Sequence, residues 1–396
     1  MLKAIKKPTV PGFVDQVSED VISGWSLAPY VTVLVNGRAR CRLLCDHHRA
    51  DVKKAGLSLS GNVGFRGQVV LEHGDIVRVV TDKGASLRNS PWLYKHPGES
   101  DWLPIAISYH HAEYKALARL PAQLSVENFK PLFGLSAGRQ MAGALLNIAN
   151  QAPVMARFDV EPTAHSNVKQ LYDKVITPSR IAAPPLLDAI SQDRHVIQIF
   201  AFQPGITLDK IGSGWEAWIP LVMTQLLRLQ DAGAARRSTL KRRSSRFKSL
   251  LYKLLPSVFA QVLREGGSKL ELTFFLFLMR VISRLPRVLS HGDLHRNNVL
   301  IDSQQQQVAI VDWDRWAYLP LGFDAALLLR GLPWYEVEPL SVKTVDQQLG
   351  TLVFTYLFQC LDVAHFIRSK EAALLRDRIY TLYEQFKLRS DTSTSQ

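Results

Sequence analysis

The hydrophobic pattern of this 396-residue chain changes its period near Pro204. Before Pro204, short runs rich in β-branched residues alternate with turn residues, which is typical of strands. After Pro204, apolar residues recur at spacings of three and four, which is typical of helices. The helical pattern covers 217–232, 250–263, 272–284, 349–368 and 371–388. A strand-rich first part followed by a helical second part predicts an α+β fold in which the two kinds of element are segregated.

The amino-terminal part shows no long helical period and is expected to be all-β. Residues 30–35 form a β-branched run, Asn36-Gly37 is a strong two-residue hairpin signal, and 38–45 supplies the returning strand. Two more strands are predicted over 67–71 and 75–81. This pattern favours a small sandwich-like domain.

The organisation of the whole chain follows from these patterns and from the Pro and Gly residues near positions 97–104. We predict an all-β accessory domain over 1–98, a linker with a helix over 99–125, a strand-rich lobe over 126–203, a helical lobe over 204–390 and a flexible tail over 391–396.

Composition narrows the class of protein. Three cysteines, Cys41, Cys45 and Cys360, are too few for a disulfide scaffold and suit a reducing compartment. The chain has no apolar run near the roughly 20 residues that span a bilayer, and its basic start is not followed by an apolar segment. We therefore expect a cytoplasmic protein, with a peripheral position at the inner membrane face as the alternative.

The net charge of +13 favours anionic partners. The stretch 236–253 carries eight cations and no acid: Arg236, Arg237, Lys241, Arg242, Arg243, Arg246, Lys248 and Lys253. Because apolar residues are interspersed, the stretch suits an anionic membrane or glycolipid surface. A solvated helix face is the alternative, and nucleic acid is less expected because no reader motif accompanies the charge.

The residues that carry chemistry lie between 290 and 314. Two short β-rich runs, 299–301 and 308–311, flank a polar turn. If Ile301 pairs with Ala309, Asn298 lies beside Asp312 at the same end of the hairpin. An amide oxygen and a carboxylate are hard ligands that suit Mg²⁺, and Asp293 precedes them in the loop leading to that end.

This arrangement is what phosphoryl transfer requires, and the order Asp-x-x-x-x-Asn, hairpin, Asp matches the catalytic loop of protein kinases. The sequences His-Gly-Asp-Leu-His-x-x-Asn (291–298) and Val-Asp-Trp-Asp (311–314) resemble the aminoglycoside phosphotransferase and choline kinase-like families. Gly-Phe-Asp (322–324) resembles a downstream segment of these families, with Asp324 at the structural aspartate. The resemblance covers roughly 125–390 and implies a bilobal, protein-kinase-like fold.

The resemblance also implies roles for individual residues. Asp293 would be the catalytic base, and Asn298 and Asp312 would bind Mg²⁺. His291 would brace the loop, and His295 would have a structural role. The implied reaction is ATP-dependent phosphorylation of a hydroxyl of a small molecule or sugar.

The nucleotide-binding half matches these families less closely. The residues expected to contact ATP are Gly134, Ser136 and Gly138 in a phosphate-covering loop, Arg157 where the family carries a strand lysine, and Gln198 and Phe200 in the strand before the adenine hinge. A partner glutamate is not evident on the following helix, where Asp173 is the nearest acid. The alternative is therefore a catalytically weak pseudokinase that binds nucleotide or acts as a scaffold.

The sequence gives less support to two other functions, serine hydrolysis and zinc binding. Residues 134–138 also match the Gly-x-Ser-x-Gly pattern of serine hydrolases, but Lys130-Pro131 interrupts the strand that should precede it. Zinc binding by Cys41, Cys45, His47 and His48 is disfavoured because adjacent histidines on a strand point to opposite faces.

The amino-terminal module carries the pattern Gly24-Trp25, Asn36-Gly37, Gly64-Phe65 and Gly74-Asp75. This pattern resembles a small β-module that occurs beside some bacterial surface-polysaccharide enzymes. It makes a cell-surface glycan precursor the preferred acceptor. Polycationic antibiotics are less attractive acceptors because a protein of charge +13 repels them.

Overall fold

The computed structural model describes residues 12–18, 20–96, 98–100, 102–105, 114, 116–133, 141–192, 195–240, 244–265, 269–340 and 344–393. The expected phosphate-loop residues Gly134, Ser136 and Gly138 lie outside these ranges, as do residues 241–243 of the basic stretch. Contacts group the chain into two compact units. Unit 1 comprises residues 1–162 and 187–202, and unit 2 comprises residues 163–186 and 203–396.

Unit 1 begins with a β-sandwich. In chain order its elements are β1 (Gly12–Val17), β2 (Val21–Ser26), β3 (Tyr30–Val35), β4 (Arg38–Leu44), β5 (His47–His48), α1 (Ala50–Lys54), β6 (Asn62–Gln68), β7 (Ile76–Thr81) and β8 (Trp92–Leu93). One sheet has the order β1-β2-β6-β5 and the other β4-β3-β7-β8. Alternate residues of β2 and β3 are buried, and Ile22, Val31, Val33 and Phe65 meet in one core.

The sandwich differs from the sequence prediction in two places. The strand predicted over 67–71 is instead β6, which ends at Gln68. Val69 and Leu71 suggested a strand because they are apolar, and both are buried in the core without belonging to a strand. The helix Ala50–Lys54 was not predicted because a single turn is too short to show a helical period.

The second part of unit 1 is a six-stranded antiparallel sheet in the order β13-β14-β12-β11-β10-β9. Its strands are β9 (Leu103–Pro104), β10 (Val126–Phe133), β11 (Met141–Ile148), β12 (Val154–Val160), β13 (Leu186–Gln192) and β14 (His195–Ala201). One face packs a core that includes Phe129, Leu146, Ala156 and Ile199.

Unit 2 is mainly helical, as the apolar spacing after Pro204 predicted. Its helices are α2 (Pro162–Leu171, whose first residue belongs to unit 1), α3 (Ile219–Ala235), α4 (Ser244–Arg264), α5 (Lys269–Arg284), α6 (Phe323–Leu328), α7 (Trp334–Leu340), α8 (Val345–Asp362) and α9 (Lys370–Ser393). Residues 349–360 of α8 are buried on every side, so this helix forms the centre of the unit. The predicted α+β class, with a sheet-rich amino-terminal region, is confirmed.

Two small sheets in unit 2 support the loops of interest. β15 (Ile206–Thr207), β17 (Val299–Asp302) and β18 (Gln307–Ile310) form one, and β16 (Arg287–Ser290) pairs with β19 (Ala317–Pro320) in the other. Loop 291–298 leaves β16 and enters β17, while loop 311–316 leaves β18 and enters β19. The two sheets therefore hold both loops at their ends. Among the helices of the described residues, none is both long and apolar enough to cross a bilayer.

Candidate active site

The β17–β18 hairpin forms as predicted, but its register differs by one residue. Ile301 pairs with Val308 rather than with Ala309. Asn298 therefore lies opposite Val311, whose amide donates to the Asn298 carbonyl at 2.9 Å. The expected direct pairing of Asn298 with Asp312 is wrong.

The turn explains this register. The carboxylate of Asp302 accepts hydrogen bonds from the backbone amides of Gln304 and Gln305, each at 3.0 Å. Gln306 takes a left-handed conformation with φ 53°. Together these features close the turn with four residues, 303–306, whereas the predicted pairing needs five.

Asp312 nevertheless stays at the same end of the hairpin as Asn298, one residue beyond the pairing with Val311. Its backbone is left-handed (φ 64°, ψ 55°) and starts a 3-10 turn over Trp313–Arg315. The buried indole of Trp313 donates to the carbonyl of Ile310 at 2.9 Å and fixes this turn. The chain thus reverses immediately after the strand.

Asn298 is tied to Asp293 through the backbone. Its buried side-chain amide Nδ2 donates to the Asp293 carbonyl at 2.8 Å. The amide of His295 donates to the same carbonyl at 2.9 Å. Because the NH₂ group of Asn298 is held in this way, its Oδ1 atom is the one left to accept or to bind a cation.

A fully buried histidine joins the two loops. Nδ1 of His291 accepts from the Asp293 amide at 3.3 Å, so Nε2 carries the proton and donates to the Val311 carbonyl at 2.9 Å. The ring packs on Trp313 with centroids 4.7 Å apart. Burial lowers the pKa of His291 to about 4, which keeps the ring neutral at physiological pH.

A buried carboxylate holds the start of the same loop. Asp324, in the first turn of α6, accepts from the backbone amides of His291 at 2.6 Å and Gly292 at 2.9 Å. Burial raises the pKa of Asp324 to about 6, and the two amide bonds oppose that rise. The carboxylate therefore acts as a buried clamp on the backbone just before Asp293.

Arg315 is a residue that the sequence reasoning missed. Its Nε lies 3.2 Å from Oδ2 of Asp293, and the two side chains are 57% and 24% exposed. The only signal in the sequence was a cation three residues after Asp312. Because the guanidinium lies in the loop after β18, it connects this second loop directly to the carboxylate of the first.

The residues present fit a magnesium ion better than a structural zinc. Within the described part of the chain, no group of three or more His, Cys, Asp and Glu side chains has a metal-holding arrangement. Asn298 and Asp312 offer one amide oxygen and one carboxylate at a shared end of a hairpin. Protein Mg²⁺ sites commonly use one or two carboxylates together with substrate phosphates and water, and the Asp312 carboxylate and the Asn298 amide oxygen are donors of this kind.

The expected nucleotide contacts that the structure describes lie in unit 1. Arg157 on β12 is paired with Gln198 on β14, and Met155 with Phe200. Arg157, Gln198 and Phe200 therefore share one face of the sheet, while their sequence neighbours Ala156 and Ile199 fill the core on the other face.

The region that contains these loops matches a known family of proteins. Residues 213–365, which include Asp293, Asn298 and Asp312, match the sequence model of the phosphotransferase enzyme family (APH). The match confirms the family resemblance predicted from the two loop sequences. The match covers less than half of the chain and indicates a phosphotransferase with an alcohol group as acceptor.

Comparison with solved structures gives neighbours of low identity. They include an aminoglycoside-3'-phosphotransferase of type VIII, with a TM-score of 0.39 and 15% identity over 69% of this chain and 100% of that chain. Plasmodium vivax ethanolamine kinase has a TM-score of 0.37 and 14% identity over 68% and 87% of the respective chains. An aminoglycoside phosphotransferase from Alicyclobacillus acidocaldarius has a TM-score of 0.41 and 12% identity over 68% and 96%. No curated protein matches the chain.

Proposed function

We propose that the protein transfers the γ-phosphoryl group of ATP, with Mg²⁺, to a hydroxyl of a small molecule or sugar. The observation that carries the proposal is the hydrogen-bonded frame around Asp293. Buried Asp324 holds the backbone just before Asp293, His291 accepts from the Asp293 amide, and Asn298 donates to the Asp293 carbonyl. A loop held in this way keeps a carboxylate in place without relying on the substrate.

Asp293 would orient the acceptor hydroxyl and accept its proton as the bond to phosphorus forms. Asn298 and Asp312 would hold Mg²⁺, which supplies charge neutralisation at the phosphate oxygens when it is bound. Arg315 contacts the Asp293 carboxylate, so it would limit the rotation of that side chain toward the acceptor.

The nucleotide would contact unit 1 through the face of the sheet that carries Arg157, Gln198 and Phe200. An arginine at the strand position can bind phosphate in a bidentate way, which differs from the point charge of a lysine. The residues Gly134, Ser136 and Gly138 remain candidates for covering the phosphates.

We further propose that the acceptor is a cell-surface glycan precursor, and that residues 1–98 are an accessory domain beside lobes at 126–203 and 204–390. The resemblance of the amino-terminal module to polysaccharide-associated modules supports this acceptor. The net charge of +13 supports an anionic acceptor over a polycationic antibiotic.

A location in the cytoplasm, with peripheral contact at the inner membrane face, is part of the proposal. The described cations Arg236 and Arg237 begin the basic stretch 236–253 at the end of α3. Phe259 and Leu263, on the following helix, are 39% and 51% exposed. Cations and exposed apolar side chains on consecutive segments of the chain support contact with an anionic lipid surface.

Replacing Asp293 tests the reaction. Asp293→Asn should lower kcat by about a hundredfold to ten-thousandfold, because the variant cannot accept the hydroxyl proton. The melting temperature should stay nearly unchanged, because the side chain of Asp293 is not part of the buried frame. The measurement is ADP release from ATP and Mg²⁺ across a panel of sugars and small alcohols.

The matched control is Asp377→Asn, an exposed acid on α9, which should keep full activity. Retained transfer in Asp293→Asn would reject the assigned base. The alternative of a pseudokinase has no support from the comparisons. A thermal shift with ATP and Mg²⁺ but no turnover on any acceptor would nevertheless contradict the proposal.

A further inference from the structure

The outer face of the sheet β4-β3-β7-β8 is only partly covered. Val31 and Val33 of β3 point into the sandwich core, so Tyr30, Thr32 and Leu34 lie on the outer face. In the pairing of β3 with β4, Arg42 lies opposite Thr32. Extending the pairing of β3 with β7 by one residue places Asp82 beside Tyr30. This face therefore carries a tyrosine, a hydroxyl, an arginine and a carboxylate in adjacent rows.

One end of the outer face is already occupied within unit 1. Ile76, at the start of β7, and Leu93, on β8, pack with Leu103 in the core of the six-stranded sheet. The other end is an open concavity of about 380 Å³, lined by Tyr30, Thr32, Arg40, Arg42 and Asp82 together with Ala39 and Cys41. We call this concavity the Arg40–Arg42 pocket.

The arginines of the pocket are arranged for an anion. The guanidinium of Arg42 stacks on the Tyr30 ring, with its central carbon 3.1 Å from the ring centroid. Stacking uses the flat face of the guanidinium and leaves the N–H groups at its edge available. Arg40 is exposed, and no ion pair or hydrogen bond engages its side chain within the described part of the chain.

The other groups of the pocket select among anions. The hydroxyl of Thr32 and the carboxylate of Asp82 are suited to hydrogen bonds with sugar hydroxyls. Exposed Leu44, two residues after Arg42, offers an apolar surface for the C–H face of a sugar ring. A nucleic acid fits less well, because Arg42 covers the Tyr30 ring that a base would stack on and Asp82 repels the phosphates.

We propose that the Arg40–Arg42 pocket binds an acidic oligosaccharide. Its carboxylate or sulfate groups would accept hydrogen bonds from Arg40 and Arg42, and its hydroxyls would bind Thr32 and Asp82. This binding site is separate from the phosphoryl-transfer residues and does not depend on the identity of the acceptor.

The test is binding of the full chain to an array of uronate-containing, sulfated and neutral oligosaccharides, followed by titration of the best acidic member. We expect binding to acidic members alone, about tenfold weaker in Arg40→Gln. The matched control Arg66→Gln removes an exposed charge from the other sheet and should bind like the original protein. ADP release should be the same in all three proteins when a small acceptor is used.

Binding to no acidic oligosaccharide would overturn the proposal, and so would equal affinity in Arg40→Gln and the original protein. Single-stranded DNA serves as the competing polyanion. Binding of DNA that is as tight as that of the acidic oligosaccharide, and lost in the same variant, would assign the pocket to nucleic acid instead. Arg40→Gln removes no contact that the described structure shows, so reduced binding cannot be attributed to misfolding if its melting temperature is unchanged.

Discussion

At the scale of single residues, Gly292 shows how closely the two loops approach. Its φ is 81°, and a Cβ at this position would lie 2.1 Å from the carbonyl oxygen of Arg315. Two independent features therefore require glycine at this position: the left-handed backbone conformation and the close contact with the second loop. The residue before the proposed base is thus fixed by the loop that contains Asp312.

Gly292→Ala should destabilise the protein by about 3 kcal/mol or more, because left-handed strain adds to a steric overlap with backbone. Transfer activity should fall as well, since relief of the overlap moves Asp293. The control Gly212→Ala has a similar φ of 75° with no atom near the added Cβ, and should cost about 1 kcal/mol. Urea unfolding of both variants measures the difference, and equal losses would contradict the overlap.

Asp324 provides a prediction about pH. Its folded pKa of about 6 lies above the ordinary value of 3.8, so the folded state binds a proton more readily than the unfolded state. Stability from this group is therefore present at low pH and is lost as pH rises through about 6. Asp324→Asn lacks this titration and should be less stable by about 1–3 kcal/mol at neutral pH, because one backbone amide then faces an NH₂ group.

The deficit of Asp324→Asn should grow by about 1 kcal/mol between pH 7.5 and pH 5, as the original protein takes up its proton. Unfolding free energies of both proteins at the two pH values provide the measurement. If the stability difference between the two proteins shrinks on acidification, burial does not raise the pKa of Asp324.

At the scale of elements, the close contact between α3 and β16 sets the start of the loop. A Cβ on Gly233 would lie 2.2 Å from Cβ of Leu289, and the hydroxyl of Tyr318 donates to the Gly233 carbonyl at 2.9 Å. Since Leu289 is two residues before His291, the packing of α3 against β16 fixes where loop 291–298 begins.

Gly233→Ala should lower both the melting temperature and the rate of transfer. Overpacking costs about 1–3 kcal/mol, which exceeds the roughly 1 kcal/mol that alanine contributes to helix propensity. Ala234→Ser, at the exposed neighbouring position, should leave both quantities nearly unchanged. Thermal melting and ADP release measure the two effects, and a more stable Gly233→Ala would argue against the close packing.

At the scale of the whole molecule, the excess of cations should direct the protein to anionic lipid. We expect binding to vesicles that contain phosphatidylglycerol, weakening strongly between about 50 mM and about 300 mM salt because exposed charges are screened. The double variant Arg236→Glu/Arg237→Glu should lose more binding than Lys54→Glu/Lys83→Glu, which changes the net charge equally. Equal losses in vesicle sedimentation would assign the effect to net charge and reject the basic stretch as the contact.

The sequence alone predicted the kinds of element and singled out the two loops that carry the proposed site. The change of period near Pro204 reflects which face each segment must bury. This periodicity can be read from each segment alone, without knowing which residues pack against it. The spacing of Asp293, Asn298 and Asp312 is likewise local, because one hairpin connects them.

Only the tertiary structure decided the contacts between segments that are distant in sequence. The contacts of Arg315 with Asp293 and of Asp324 with the amide of His291 depend on how the loops pack. The Arg40–Arg42 pocket also depends on packing. The six-stranded sheet covers one end of the outer face of β4-β3-β7-β8 and leaves the other end exposed. Periodicity identifies the face that is buried, whereas only packing decides which residues from elsewhere in the chain meet there.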